Sequence, residues 1–293
     1  HCFGCGASGD VIKFLREHEG LSFMDAIEKL ANIANIEVPK NNKKFEDDTS
    51  HLVNINKIAH KYFLNALLKS KSAKEYLNNR GIEDAVIKKF EIGYAEESWD
   101  NLKTIIEKEG KIKDAVDLGL LVKNKNKVYD RFRNRIMFPI KNSSGKVIAY
   151  GGRTLDKNEK AKYINSPESK LFYKSAEMYG VFESKQSISK KDMVIVVEGY
   201  TDVVSLHKHG FENTVASLGT ALTKLHLKKL KRYSKNIIFC FDGDQAGRNA
   251  AWKALLNCLP EITDETNVGF CFIEDDKDPD ELCNESPQKF KNI

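Results

Sequence analysis

No stretch of this 293-residue chain is apolar for long enough to span a membrane, and no signal peptide opens it. A cytoplasmic location without a membrane partner is therefore expected. Charge of one sign is also scarce: 47 Lys and Arg stand against 42 Asp and Glu, a net +5. That balance permits a nucleic-acid partner without requiring one, so local clustering has to decide. A phosphate-binding Gly-x-x-x-x-Gly-Lys-Ser/Thr loop is absent, and no P-loop ATPase region is expected. Paired metal-ligand cysteines occur once. Cys2 and Cys5, in a glycine-rich turn, supply half of a tetrahedral zinc site, and no later Cys or His pair has the spacing to complete it. Cys240 and Cys271 fall inside apolar runs, where a thiol behaves as a small apolar side chain, and Cys258 and Cys283 lack ligand spacing.

A hydrophobic content of 41% is ample for one or two packed domains. The most informative stretch is Val194–Asp202, whose apolar run stops at Glu198-Gly199. Its counterpart is Ile237–Asp244, stopping at Asp242-Gly243-Asp244, and a third run, Val268–Ile273, leads into Glu274–Glu281. Continuous apolar runs of this length read as strands buried on both faces, as in a parallel sheet. Strands at Val194–Val197, Thr214–Ala216, Ile237–Phe241 and Gly269–Ile273 alternate with helices at Asp202–His209, Lys224–Tyr233 and Ala246–Leu259. That alternation predicts βαβ units. Ligands bind beyond the carboxyl ends of such strands, where Glu198, Asp242 and Asp244 stand. Crowded carboxylates need a cation, and all-oxygen donors favour Mg2+ or Mn2+ over zinc. The competing reading is solvated acids that cap the following helices.

Upstream, residues 11–36 read as two helices, and residues 37–50 as a polar linker without period. Arg131, Arg133 and Arg135 alternate, so an extended strand would present all three on one face, suited to a polyanion. A charged edge strand is the alternative.

These motifs resemble the Toprim domain of primases, topoisomerases and some nucleases. Val197-Glu198-Gly199-Tyr200-x-Asp202, Ala216–Thr223, Phe241-Asp242-Gly243-Asp244-x-Ala246-Gly247 and Asp278-Pro279-Asp280 together resemble the bacterial DnaG-type replicative primases, as do Arg131–Ile140 and Lys162–Glu168. A type IA topoisomerase would need a further large domain, and an OLD-type nuclease an ATPase region.

The resemblance implies an α/β fold: a Toprim parallel-sheet domain (187–287) preceded by a mixed α/β subdomain with a basic template cleft (51–186). A zinc-ribbon remnant (1–38), a linker (39–50) and the start of a helical subdomain (288–293) complete the expected organisation. It implies that Glu198, Asp242, Asp244, Asp278 and Asp280 hold Mg2+ or Mn2+, with Glu198, Asp242, Asp244 and Asp202 catalytic. Cys2 and Cys5 would be zinc ligands in the intact protein. Arg131, Arg133, Arg135, Arg153, Lys162 and Lys174 would bind nucleotide or template. The activity implied is primer synthesis: a DNA-directed RNA polymerase, a nucleotidyltransferase joining ribonucleoside triphosphates on single-stranded DNA. Expected partners are that template, the replicative helicase through an absent C-terminal domain, and single-strand-binding protein; the chain is expected to be a monomer. The alternative is a truncated module that binds metal and nucleic acid without making primers.

Overall fold

The structure, a computed structural model, describes residues 9–19, 23–34, 36, 47–219, 221–273 and 277–291. The Cys2–Cys5 knuckle and the acids Glu274, Asp275 and Asp276 lie outside the described residues. Two helices come first, α1 (Val11–Glu19) and α2 (Phe23–Ala34), matching the two expected over 11–36. Next come α3 (Asp47–Lys69), α4 (Lys71–Asn79) and α5 (Asp84–Phe90). Asp47–Ser50, expected in the linker, form the first turn of α3 instead. Carboxylates suit a helix N-terminus, where the dipole favours negative charge, so a polar run there need not be a linker.

The first sheet follows from β1 (Gly93–Ala95), reached before α6 (Asn101–Lys108) and α7 (Ile112–Asp117). A separate hairpin, β2 (Leu121–Asn124) and β3 (Lys127–Asp130), leads to β4 (Arg135–Lys141), β5 (Val147–Thr154) and β6 (Tyr163–Asn165). The order is β1-β4-β5-β6, antiparallel throughout. Pro139 interrupts the apolar run Ile136–Ile140 of β4, and lies beyond the end of β1, where β4 is paired only with β5.

Helix α8 (Val181–Lys191) leads into the second sheet, β7 (Val194–Val197). From there the chain alternates: α9 (Tyr200–Lys208), β8 (Thr214–Ala216), α10 (Lys224–Leu230), β9 (Asn236–Phe241), α11 (Gln245–Cys258), β10 (Asn267–Phe272). Two short helices end the described chain, α12 (Pro279–Glu285) and α13 (Pro287–Lys291). The four strands are parallel in the order β10-β9-β7-β8, each within two residues of its expected bounds.

One apolar core runs through both sheets, joining Ile136, Phe138 and Ile140 of β4 to Val197, Tyr200 and Leu206. Tyr200 stacks on Phe138 with ring centres 5.3 Å apart. Beside Phe138, its cross-strand partner Gly151 of β5 also lies under the ring: a Cβ there would lie 2.4 Å from Tyr200, so only glycine fits. The residue that starts α9 is thereby seated against the first sheet.

Candidate active site

Parallel strands deliver their carboxyl ends to one edge. Val196 of β7 is level with Phe239 of β9, so Glu198 and Asp242 emerge on neighbouring strands one residue out of step. The backbone N–H of Asp242 lies near the Glu198 carboxylate and lowers its pKa. Its Oε1 is buried with no hydrogen-bond partner. Burial raises the Glu198 pKa and the Asp244 charge adds to it, against the opposing Asp242 N–H. Asp242 is pushed up to about 7, by burial first and then by the charges of Glu198, Asp278, Asp244 and Glu281. Asp202, 8% exposed, also rises to about 7, from burial and then the charge of Asp278, with Asp242 and Asp280 contributing. The Asp278 carboxyl is raised by burial and by its neighbours Glu281 and Asp280. Acids 80 residues apart in the chain thus act on one another across one sheet edge.

Capping, the competing reading, turns out to describe several of the same residues. Asp244 Oδ1 accepts from Gly247 N at 2.7 Å and starts α11. Asp278 Oδ1 accepts from Glu281 N at 2.7 Å and starts α12. Asp202 Oδ2 accepts from Gly199 N at 2.9 Å in the first turn of α9. Asp280 Oδ1 accepts from Asn284 Nδ2 at 2.6 Å. Each bond fixes one oxygen and leaves the other for a ligand. Among the described residues, no three His, Cys, Asp or Glu stand arranged to hold an ion as they are. The donor chemistry nevertheless fits a hard divalent cation: every acid offers oxygen, the carboxyls repel, and Glu198 Oε1 is buried without a partner.

The basic residues divide into different groups. Arg131, Arg133 and Arg135 do not share a strand face. Residues 131–134 are not strand, and Asn134 takes a left-handed φ of 49°, which breaks the alternation. Arg133 stacks on Trp99, 4.0 Å above a ring that is itself 62% exposed, and its Nη1 donates to Asp130 O. The Nε of Arg131 is buried without a partner. Arg135, only 5% exposed, donates from Nη1 to the carbonyls of Gly152 at 3.2 Å, Ala161 at 2.9 Å and Lys162 at 3.4 Å. It braces the loop carrying Lys162. Lys162 is exposed and Lys174 half-buried, and neither Nζ has a hydrogen-bond or ion-pair partner among the described residues.

Arg153 is linked toward the acidic edge through Tyr163. It is 5% exposed on β5 and donates to the Tyr163 hydroxyl, which lies 3.3 Å from Thr201 Oγ1, beside Asp202. The charge of Asp202 is felt by Tyr163, although burial is the larger cause of that phenol's raised pKa. A second strut runs from Tyr200 Oη to Asn165 Oδ1 at 2.9 Å and from Asn165 Nδ2 to Leu218 O at 2.9 Å. Sequence reasoning did not single out Tyr163, Asn165, Tyr200 or Thr201; polar tips on apolar bodies at the ends of strands were the available signal. It likewise overlooked His226, fully buried, whose Nδ1 accepts from Thr223 N at 3.2 Å. Its Nε2 therefore donates, to Lys174 O at 2.8 Å and Glu177 O at 3.1 Å, which fixes the Lys174 backbone. Beside the acids, a cavity of about 550 Å³ is lined by Tyr76, Asn79, Arg80, Gly81, Asp280 and Asn284.

A parallel sheet that collects Glu and Asp-x-Asp at the carboxyl ends of its strands, joined through one core to an antiparallel subdomain, defines a Toprim-type domain with an N-terminal partner. Residues 195–283 match the Toprim-like family, residues 62–185 the DNA primase catalytic core N-terminal domain, and residues 1–46, including Cys2 and Cys5, the CHC2 zinc finger. DNA primase of Legionella pneumophila is 42% identical over 297 residues, covering 100% of this chain and 51% of that protein. DNA primase of Escherichia coli K12 is 41% identical, with 96% and 50% covered. The E. coli primase catalytic core superposes with a TM-score of 0.78 at 40% identity, covering 82% of this chain and 78% of that one. A DnaG primase catalytic domain solved bound to single-stranded DNA gives 0.77 at 41% identity, covering 82% and 79%. The chain belongs to the DnaG-type DNA primase family. It spans about half the length of the curated relatives it matches.

Proposed function

We propose that this chain carries the catalytic portion of a primase, which joins ribonucleotides on a single-stranded DNA template. The observation that supports it most is the meeting of Glu198 and Asp242 on adjacent strand ends, with Oε1 of Glu198 unpartnered and Arg153 linked to the same edge through Tyr163 and Thr201. Glu198, Asp242, Asp244, Asp278 and Asp280 would hold Mg2+ or Mn2+. Such ions, when bound, supply charge stabilisation to a 3′-hydroxyl attacking an α-phosphate as pyrophosphate leaves. Cys2 and Cys5 would contribute to a zinc site.

The protein's own groups have separate tasks. Capping bonds fix Asp244, Asp278 and Asp202 before any ligand arrives, which lowers the cost of ordering them. Arg153 is held by a phenol rather than by a carboxylate, so its charge remains available to phosphate oxygens. Lys162 and Lys174, with free ammonium groups, would meet triphosphate or template backbone. Trp99 and Arg133 offer an exposed aromatic and a guanidinium to the template, a pairing suited to single strands.

The test is template-directed dinucleotide synthesis by the full chain in Mg2+, comparing wild type with Asp242→Ala. Loss of synthesis with single-stranded DNA binding retained is expected; undiminished synthesis refutes the assignment. If wild type binds DNA and metal yet synthesises nothing, the chain is a binding module that needs further segments of its relatives.

A further inference from the structure

Strands β9 and β10 carry one cysteine each, Cys240 and Cys271, on the same rung of the ladder. Their sulfurs lie 3.7 Å apart. Neighbouring strands stand ~4.8 Å apart, inside the ~4.4–6.8 Å between Cα atoms that a disulfide spans. The other two cysteines among the described residues, Cys258 and Cys283, are buried without such a partner. The pair lies two residues short of the site, since Cys240 is on β9 and Asp242 follows directly after that strand ends at Phe241.

We propose that Cys240 and Cys271 form an oxidisable dithiol. It closes to a cross-strand disulfide and shifts Asp242 as it does so. Cys240 is 1% exposed, whereas Cys271 is partly exposed, which sets the order of events. The Cys271 thiolate attacks a low-molecular-weight disulfide and expels one small thiolate. Cys240 then gives up its proton and displaces the second, leaving the Cys240–Cys271 bond. Two protein thiols and one small disulfide become one protein disulfide and two small thiols, so atoms and electrons balance.

Closure brings the sulfurs from 3.7 Å to a bond of about 2.05 Å, and the strands must absorb the difference. Residues one position away hold them in place. Phe239 and Phe241 pack on Phe270, with ring centres 5.4 Å and 6.4 Å apart. The strain therefore passes toward the carboxyl ends, which are tied by Ile273 N to Phe241 O at 3.3 Å and Gly243 N to Lys277 O at 3.3 Å. Asp242 sits between those two ties. The bond itself needs only the thiol pair; its consequence rests on the reading of Asp242 as a site acid.

The experiment incubates the full chain with oxidised glutathione, digests it without reductant and maps cross-linked peptides by mass spectrometry. Mn2+ affinity and dinucleotide synthesis are measured before and after, and again after dithiothreitol. Wild type is expected to yield a peptide pair joined at 240 and 271, with Mn2+ affinity and synthesis each falling about tenfold and returning on reduction. Cys271→Ser is expected to give no such pair and to keep both properties in oxidant. Failure of the pair to form in wild type overturns the proposal. A cross-link that leaves Mn2+ affinity unchanged overturns the coupling to Asp242, and equal losses in Cys271→Ser overturn the dithiol as their cause. Mapping and Mn2+ binding remain informative if the chain synthesises nothing.

Discussion

Replacing Asp202 by Asn isolates the electrostatic strain of the acidic edge. The carboxyl is 8% exposed and pushed up to about 7 from 3.8, chiefly by burial and then by the Asp278 charge. Between those two values the folded state keeps a proton that the unfolded chain has released. Stability therefore falls as pH rises from about 4 to about 7 and levels off above. A displacement of about three units corresponds to about 4 kcal/mol. Part of that is repulsion shared with Asp242 and Asp278, so neutralising this one group recovers about 2–3 kcal/mol on such a scale. At about 2 °C per kcal/mol for a chain of this size, the melting temperature moves by about 4–6 °C. Asn retains an oxygen to accept from Gly199 N, so the cap at the start of α9 survives. Thermal melts in chelator should place Asp202→Asn level with wild type near pH 3.5, below the ordinary carboxyl value, and about 4–6 °C above it at pH 8. Adding Mg2+ at pH 8 should close much of that gap by stabilising wild type. A constant separation at both pH values would show that the strain does not come from ionisation.

Other substitutions test the scaffold. Gly247→Ala places a Cβ 2.2 Å from Asp242 O and 3.0 Å from its carbonyl carbon, both backbone atoms. It should cost about 1–3 kcal/mol by chemical denaturation and weaken Mn2+ binding as Asp242 moves. Arg135→Lys removes the fork that holds three carbonyls; a loss of about 2 kcal/mol is expected, with a higher nucleotide KM as the Lys162 loop loosens. Arg133→Ala should leave stability nearly unchanged but weaken single-stranded DNA binding and reduce its salt slope by about 0.7, measured by fluorescence anisotropy.

The second sheet was legible because β-branched and aromatic runs specify strands locally, and a carboxylate followed by glycine marks where each ends. Glu198 and Asp242 could be placed from that pattern alone. The arginine triplet misled because alternation in text was read as an extended strand, whereas Asn134 takes a left-handed turn between Arg133 and Arg135. Its signal was present, since Asn is among the few residues that tolerate that conformation. The capping roles of Asp244 and Asp278 were foreseen only as a rival to ligation, although one carboxylate has oxygens enough for both. Tyr163 to Thr201 and Asn165 to Leu218 join residues 38 and 53 positions apart, and no local periodicity encodes such pairings.

Tyr200 packs over the neighbouring pair Phe138 and Gly151, whose bare backbone it needs, immediately after the Glu198-Gly199 turn. A ring packed so close to the carboxylates, with its hydroxyl bonded to Asn165, ties the two sheets together. The separation between Arg153 and the acids is accordingly expected to be set largely by folding rather than by ligand. If the proposed function holds, nucleic acid would enter a gap whose width is set by this packing, and selection by size would fall at its entrance.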